Sequence, residues 1–276
     1  GRFVGANALA AVGSTGTVMF LIIGFAQGIT AGFTILTSQR YGAKNEKAVR
    51  ASVANGILLS VLVTILITVV GLSTMKPLLL LMNTPEDIFA DAYTYSMLIC
   101  SGVVACIFYN LFSSLLRAIG NSVMPLVFLL LSSALNVGLD LLFVLVLRWG
   151  VSGAAAATVI AQYAAGLGLT IYTLLRCRHM LPRRADFRFD RHILRELMDL
   201  SLLTCAQQSA MNFGILLIQR LVDSFGPVVM AAFAAAVKID AFAYLPVQEF
   251  GNAFSTFSAQ NYGAGQSDRL RQGLRQ

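Results

Sequence analysis

Charge is what this sequence has least of. Asp, Glu, Lys and Arg together make up 12% of the 276 residues, against about 25% in an ordinary soluble domain. Histidine is nearly missing: only His179 and His192 occur, both in one polar segment, which argues against a histidine-based catalytic or zinc site. The four cysteines, Cys100, Cys106, Cys177 and Cys205, lie in or beside apolar segments without metal-ligand spacing and imply no disulfide framework. No secretory signal is expected from the first residues. Gly1-Arg2-Phe3-Val4-Gly5 lacks an initiator Met, a basic region and a cleavage site, and both ends read as cuts through a longer protein.

Apolar side chains fill the space that charge leaves. Hydrophobic residues make up 57% of the chain and the mean hydropathy is +0.74. Seven apolar runs, 8–38, 49–75, 89–116, 124–147, 153–175, 198–222 and 228–259, reach or exceed the ~20 residues that cross a bilayer core. The expected fold is therefore all-α and polytopic, with tilted or kinked spans where a run is longer than the minimum.

The net charge of +7 suggests nucleic acid until its location is read. Nearly all the cations sit in loops between apolar runs, which makes nucleic acid a poor partner and membrane lipid a good one. Arg40, Lys44, Lys47 and Arg50 occupy the first loop. The next holds Glu86, Asp87 and Asp91 against one lysine. Arg117 follows, then Arg148 on the other side, then seven arginines in 176–195, and finally Arg269, Arg271 and Arg275. Fifteen basic residues thus fall on one side and three on the other. The positive-inside rule places the fifteen in the cytoplasm and 1–7 outside, in a cytoplasmic (inner) membrane. Thr84-Pro85-Glu86-Asp87 reads as a helix start, with Thr84 as the cap and acids in the first turn. The segment 181–195 reads as a connector lying partly along the interface, serving either as a positive-inside anchor or as a patch for anionic lipid.

One carboxylate interrupts the fourth run. Asp140 lies among apolar residues, where a bare charge costs from a few to over ten kcal/mol, depending on the reference. Asn136 is four residues before it and Ser132 four before that, so all three share one helical face. The face is either a proton or cation site, or a polar pair that holds two helices together. Thr158 follows Gly153 and four alanines, small residues that let its helix approach a neighbour closely. Hydroxyl, amide carbonyl and carboxylate are hard oxygen ligands suited to Na⁺, and the same Asp140 could titrate instead.

The chain also repeats itself. A shift of 221 positions aligns 5–50 with 226–271 without a gap, with ten identities in 46 positions, where about three or four would arise by chance in so biased a composition. Gln39, Tyr41, Gly42 and Ala43 recur as Gln260, Tyr262, Gly263 and Ala264. The copies are six membrane segments apart and cross in the same direction, which implies two lobes related by an axis along the membrane normal.

Six segments now carry a family resemblance: Val4-Gly5-Ala6-Asn7-Ala8-Leu9-Ala10-Ala11-Val12-Gly13, Ser38-Gln39-Arg40-Tyr41-Gly42-Ala43, Leu116-Arg117-Ala118-Ile119-Gly120-Asn121, Leu135-Asn136-Val137-Gly138-Leu139-Asp140, Gly153-Ala154-Ala155-Ala156-Ala157-Thr158 and Ala259-Gln260-Asn261-Tyr262-Gly263-Ala264. In this order they resemble the multidrug and toxic compound extrusion (MATE) family. The resemblance implies a twelve-helix, two-lobe antiporter driven by Na⁺ or H⁺, monomeric at full length, without an enzymatic cofactor and exporting small organic, mainly cationic, solutes. It divides the chain into an amino-terminal lobe (1–175), a basic cytoplasmic linker (176–197) and the start of the second lobe (198–276). It implies coupling roles for Asn136, Asp140 and Thr158, and a site-lining role for Tyr95. An Asp that the family carries on its first helix has no counterpart here. The branch with an acid in the second lobe is not matched, since Gln207-Gln208-Ser209-Ala210-Met211-Asn212 holds none.

Gln162, Lys238, Asp240, Gln248 and Glu249 complete the candidate cavity or substrate contacts. The last four share an apolar run that Pro246 and Gly251 are expected to break, and they form either a cavity wall or a satisfied interior network. Arg220 and Asp223 read as a surface ion pair, and Tyr95, Phe108 and Tyr244 as aromatics able to stack on flat cations. A lipid-linked oligosaccharide flippase is the alternative, disfavoured because only Lys238 and Arg220 are available to a pyrophosphate. A membrane enzyme lacks its catalytic constellation, and a seven-helix receptor has no use for the repeat.

Overall fold

The computed structural model describes the backbone of residues 6–81, 84–223, 225 and 227–275, and within α1, α6 and α7 only part of the side chains. Every regular element among the described residues is helical. The long helices are α1 (Ala6–Gly42), α2 (Glu46–Leu81), α3 (Glu86–Ala118), α4 (Val123–Asp140), α5 (Gly150–Arg176), α6 (Arg191–Asp223) and α7 (Pro227–Gly263), followed by the short α8 (Ser267–Gly273). The seven apolar runs thus become seven helices. Four of them, α2, α3, α4 with its extension to Val146, and α5, are long and apolar enough to cross a membrane by length and composition.

Helix α3 is the central post, in contact with α1, α2, α4, α5 and α7. Its two ends and its middle belong to three apolar clusters. Leu111, Val103 and Ile107 meet Phe33, Leu36 and Leu197; Ile99 and Cys100 meet Met75, Leu79 and Ala155; Leu115 and Leu116 meet Val49, Val53, Leu169 and Cys177. The small residues of α5 do what their size suggests. Ala155, Ala157, Ala161 and Ala165 are buried, and Gly166 rests on the Ala105 carbonyl of α3, where an added Cβ would come within 2.8 Å. The outer faces of α2 and α4 stay bare: Leu62 is 64% exposed and Leu130 61%. In water such a surface would aggregate; against lipid tails it costs nothing.

Several local expectations are corrected. Helix α7 runs through Pro246 and Gly251 without a break. The Thr84 hydroxyl makes no cap bond and is buried without a partner, although Glu86 and Asp87 do occupy the first turn of α3. The polar segment after α5 is strapped to the bundle through two short 3₁₀ turns, and α6 begins at Arg191, earlier than its apolar run at 198. Three ties hold the strap. Asn55, buried in α2, donates from Nδ2 to the Arg188 carbonyl (3.4 Å) and accepts the Asp190 N–H (3.3 Å). Arg50 pairs with Asp186 (3.4 Å), and Arg40 pairs with Glu196 (2.7 Å) while donating to Ser52 Oγ (2.6 Å).

The two repeat copies meet at the basic end of the bundle. Gly42 packs on the Gln260 carbonyl and Gly263 packs on the Gln39 carbonyl. The contact is reciprocal between repeat-equivalent positions, as two-fold symmetry requires. Any Cβ would collide there, so only glycine allows the crossing.

Candidate functional site

Helices α4 and α5 meet along a polar seam. Ser132 donates to the Ala161 carbonyl (2.8 Å), and one turn on Asn136 Nδ2 donates to Thr158 Oγ1 (3.4 Å), a long bond. The Thr158 hydroxyl donates to the Ala154 carbonyl of its own helix (3.0 Å), which fixes its oxygen towards Asn136. With its amide nitrogen engaged, Asn136 keeps its carbonyl oxygen for another partner. Asp140 follows one turn later on the same face. Its Oδ1 is buried with no hydrogen-bond partner. A carboxylate oxygen in that condition is costly unless a proton or cation neutralises it, and the oxygens of Asn136 and Thr158 are the hard donors that would complete a Na⁺ shell.

Nothing in the amino-acid pattern marks what the backbone does at this point. At Asp140 the α-helix passes into a π turn over Leu141–Val146. Leu147 N–H reaches back to the Leu142 carbonyl (2.9 Å) and Trp149 N–H to the Phe143 carbonyl (2.9 Å), while the two rings stack at 4.9 Å. Such turns are rare, and they frequently mark functional positions in helices.

The other candidates separate into three groups. Tyr95, on α3, packs on the Ile99 cluster. Gln162 lies against Gly102 of α3 rather than joining the Asn136–Thr158 bond. Glu249 lines a cavity of about 480 Å³ bounded by Tyr109 and Arg117 of α3, the start of α4, and Asn252, Phe257 and Gln260 of α7. The nearest polar partner of Glu249 is Asn252 (3.5 Å). Gln260 itself donates to the Ala118 carbonyl (2.7 Å), tying α7 to the end of α3. Asp240 is exposed and Gln248 half-buried. The side chains of Lys238, Arg220 and Asp223 lie outside the described residues, and so does any network or ion pair they form. Phe108 is occupied with Phe112 (6.5 Å), and Tyr244 donates to Met211 Sδ (3.3 Å). Nothing in the sequence marks Tyr109 as a cavity residue, and Arg117 shows there only as an isolated cation in a short turn.

Comparison with known proteins follows the same outline. The MatE family profile matches residues 1–142 and 204–276. A probable multidrug resistance protein of Bacillus subtilis, YoeA, is 30% identical over the whole chain, which covers 61% of that protein. A FAD transporter of Shewanella oneidensis is 25% identical over 98% of the chain and 61% of its own length. Among solved structures, a MOP superfamily transporter from Pyrococcus furiosus superposes with a TM-score of 0.90 at 25% identity, covering 98% of this chain and 60% of that one. A MATE P26A mutant structure superposes with a TM-score of 0.92 at 24% identity, over 98% and 61% respectively. The chain spans about three fifths of the length of these relatives.

Proposed function

The chain belongs to the MatE family, a family of multi-pass membrane transporters rather than enzymes, and on that premise we propose that it is the ion-coupled part of an exporter of small organic solutes. Residues 1–175 are the amino-terminal lobe, 176–197 the linker and 198–276 the start of the second lobe, in a protein that works as a monomer in the cytoplasmic membrane. The observation that carries the coupling role is the buried, unpartnered Asp140 Oδ1 beside the Asn136–Thr158 bond. Entry of Na⁺ or H⁺ neutralises Asp140, and loss of the ion on the other side restores a charge the seam cannot tolerate. The two ion states therefore favour different packings of α4 against its neighbours, which is what a coupling element needs.

The reciprocal contact of Gly42 and Gly263 supports alternating access. It ties the two repeat copies together at the basic end, which the positive-inside rule places in the cytoplasm. Transport would rock the two lobes about that pseudo-two-fold. The cavity suits an organic cation: Glu249 supplies the negative wall, Tyr109 and Phe257 the aromatic faces, and Asn252 an amide. The oligosaccharide flippase is less well supported, because the cavity offers a pyrophosphate one cation, Arg117, and lines the same space with the carboxylate Glu249.

The test uses sealed vesicles containing the transporter, loaded with a fluorescent organic cation. An imposed Na⁺ or H⁺ gradient should drive its movement, and the gradient that does so identifies the ion. Movement indifferent to both gradients would contradict the proposal.

A further inference from the structure

We propose that the linker between α5 and α6 is a docking surface for anionic phospholipid headgroups of the membrane leaflet beside it, with Phe187 and Phe189 as its apolar anchors. The inference rests on reading the chain as a membrane protein, and it is independent of the coupling site.

Three observations carry it. First, the seven arginines between Arg176 and Arg195 are all exposed, and among the described residues no ion pair is formed by any of them. Second, the acids within the linker and at its end are already engaged elsewhere. Asp186 pairs with Arg50 of α2 (3.4 Å) and also accepts the Arg183 N–H (2.9 Å). Asp190 Oδ1 caps α6 by accepting the His192 and Ile193 N–H groups (2.9 and 3.3 Å). Glu196 is held by Arg40 (2.7 Å). Asp186 and Glu196 are thus held by Arg50 and Arg40 and Asp190 by the first turn of α6, and none of the three pairs with an arginine of the linker. Third, the apolar side chains of the linker divide by direction. Met180 and Ile193 are buried against the bundle, whereas Phe187 is 45% and Phe189 71% exposed. Asn55 grips the backbone on either side of Phe189 through the Arg188 carbonyl and the Asp190 N–H. The aromatic pair is therefore presented from a fixed strap.

Exposed aromatics among uncompensated arginines, at the basic end of a membrane bundle, match one partner: a lipid interface with negative headgroups. Each basic residue held at such a surface strengthens attraction by roughly fivefold, and the effect fades within a Debye length of salt. Arginine suits the task because its planar fork takes two phosphate oxygens at once.

The experiment places the protein in nanodiscs of phosphatidylcholine alone or with phosphatidylglycerol. Trp149, the single tryptophan, is first replaced (Trp149→Phe), and Phe189→Trp then serves as the reporter. Emission should shift to the blue and be quenched by brominated lipid when phosphatidylglycerol is present, and both effects should weaken in high salt. Equal emission in the two kinds of disc would overturn the proposal. So would a blue shift of equal size produced by soluble glycerophosphate in discs of phosphatidylcholine alone, which would assign the site to free phosphate rather than to the membrane. A parallel reporter, Leu131→Trp on the bare face of α4, should be quenched in every disc; if it is not, the membrane reading itself has failed. The combined variant Arg183→Gln, Arg184→Gln, Arg188→Gln and Arg191→Gln leaves Arg40, Arg50 and Asn55 in place. It should retain several-fold less phosphatidylglycerol through purification, and unchanged retention would contradict the surface.

Discussion

Thr158 and Asn55 differ in what their loss would leave behind. Removing the Thr158 hydroxyl strips Asn136 of its acceptor but opens no gap in a packed core, so Thr158→Ala should cost about 0.5–1.5 kcal/mol. The same change should raise the ion concentration needed for half-maximal export, while Thr158→Ser restores it; an unchanged ion requirement would remove Thr158 from the site. Asn55→Ala instead orphans the Asp190 N–H and the Arg188 carbonyl beside a buried position. It should cost about 1–3 kcal/mol, read as an earlier thermal unfolding transition in detergent, with ion affinity unaltered. Helical spacing alone puts Asn136 and Asp140 on one face, whereas the place of Thr158 beside them is what the family resemblance implies; the structure joins Thr158 to Asn136. The destination of Arg40 was not legible. The positive-inside pattern explains why a cation stands there, but its partner Glu196 lies 156 residues away, a pairing only the packed chain can make.

At the scale of elements, length sets the first constraint. Helices α1 and α7 have 37 residues each, about 55 Å at 1.5 Å per residue, well beyond the ~30 Å hydrocarbon core. Their ends therefore project beyond the lipid, where Arg40 and Gln260 make their contacts. The crossing of α1 and α6 depends on small side chains. Ser201 and Thr204 donate to the Ile29 and Gly28 carbonyls (2.9 and 2.6 Å), and Gly32 lies directly beneath Ser201. Ser201→Leu should overpack this crossing and cost about 1–3 kcal/mol, seen as a lower unfolding midpoint, whereas Ser201→Ala should cost less. Apolar run lengths predict such helices well, since in lipid every backbone group must be satisfied within its own helix. The π turn after Asp140 escapes that logic. It is a change of hydrogen-bond register over Leu141–Val146, closed by the Phe143–Trp149 stack, and apolar composition is the same in either register. The continuity of α7 through Pro246 escapes it as well, because a neighbouring helix decides whether the lost hydrogen bond is tolerated.

For the whole molecule, the repeat proved the most informative feature of the sequence, and the structure gives it a physical meaning. The same glycine in each copy sits on the other copy's glutamine carbonyl, so the repeat closes on itself at the basic end. Gly42→Ala or Gly263→Ala should force that end apart. A cysteine placed in the cavity by Thr256→Cys should then react faster with a membrane-impermeant maleimide added from the cytoplasmic side; an unchanged rate would mean the glycines do not hold that end together. The account as a whole turns on Asp140. In sealed vesicles with an imposed ion gradient, Asp140→Asn should abolish gradient-driven export while leaving substrate binding measurable, because the amide keeps the shape of the carboxylate without its charge. Export at the unaltered protein's rate would contradict the assignment of Asp140 as the coupling carboxylate.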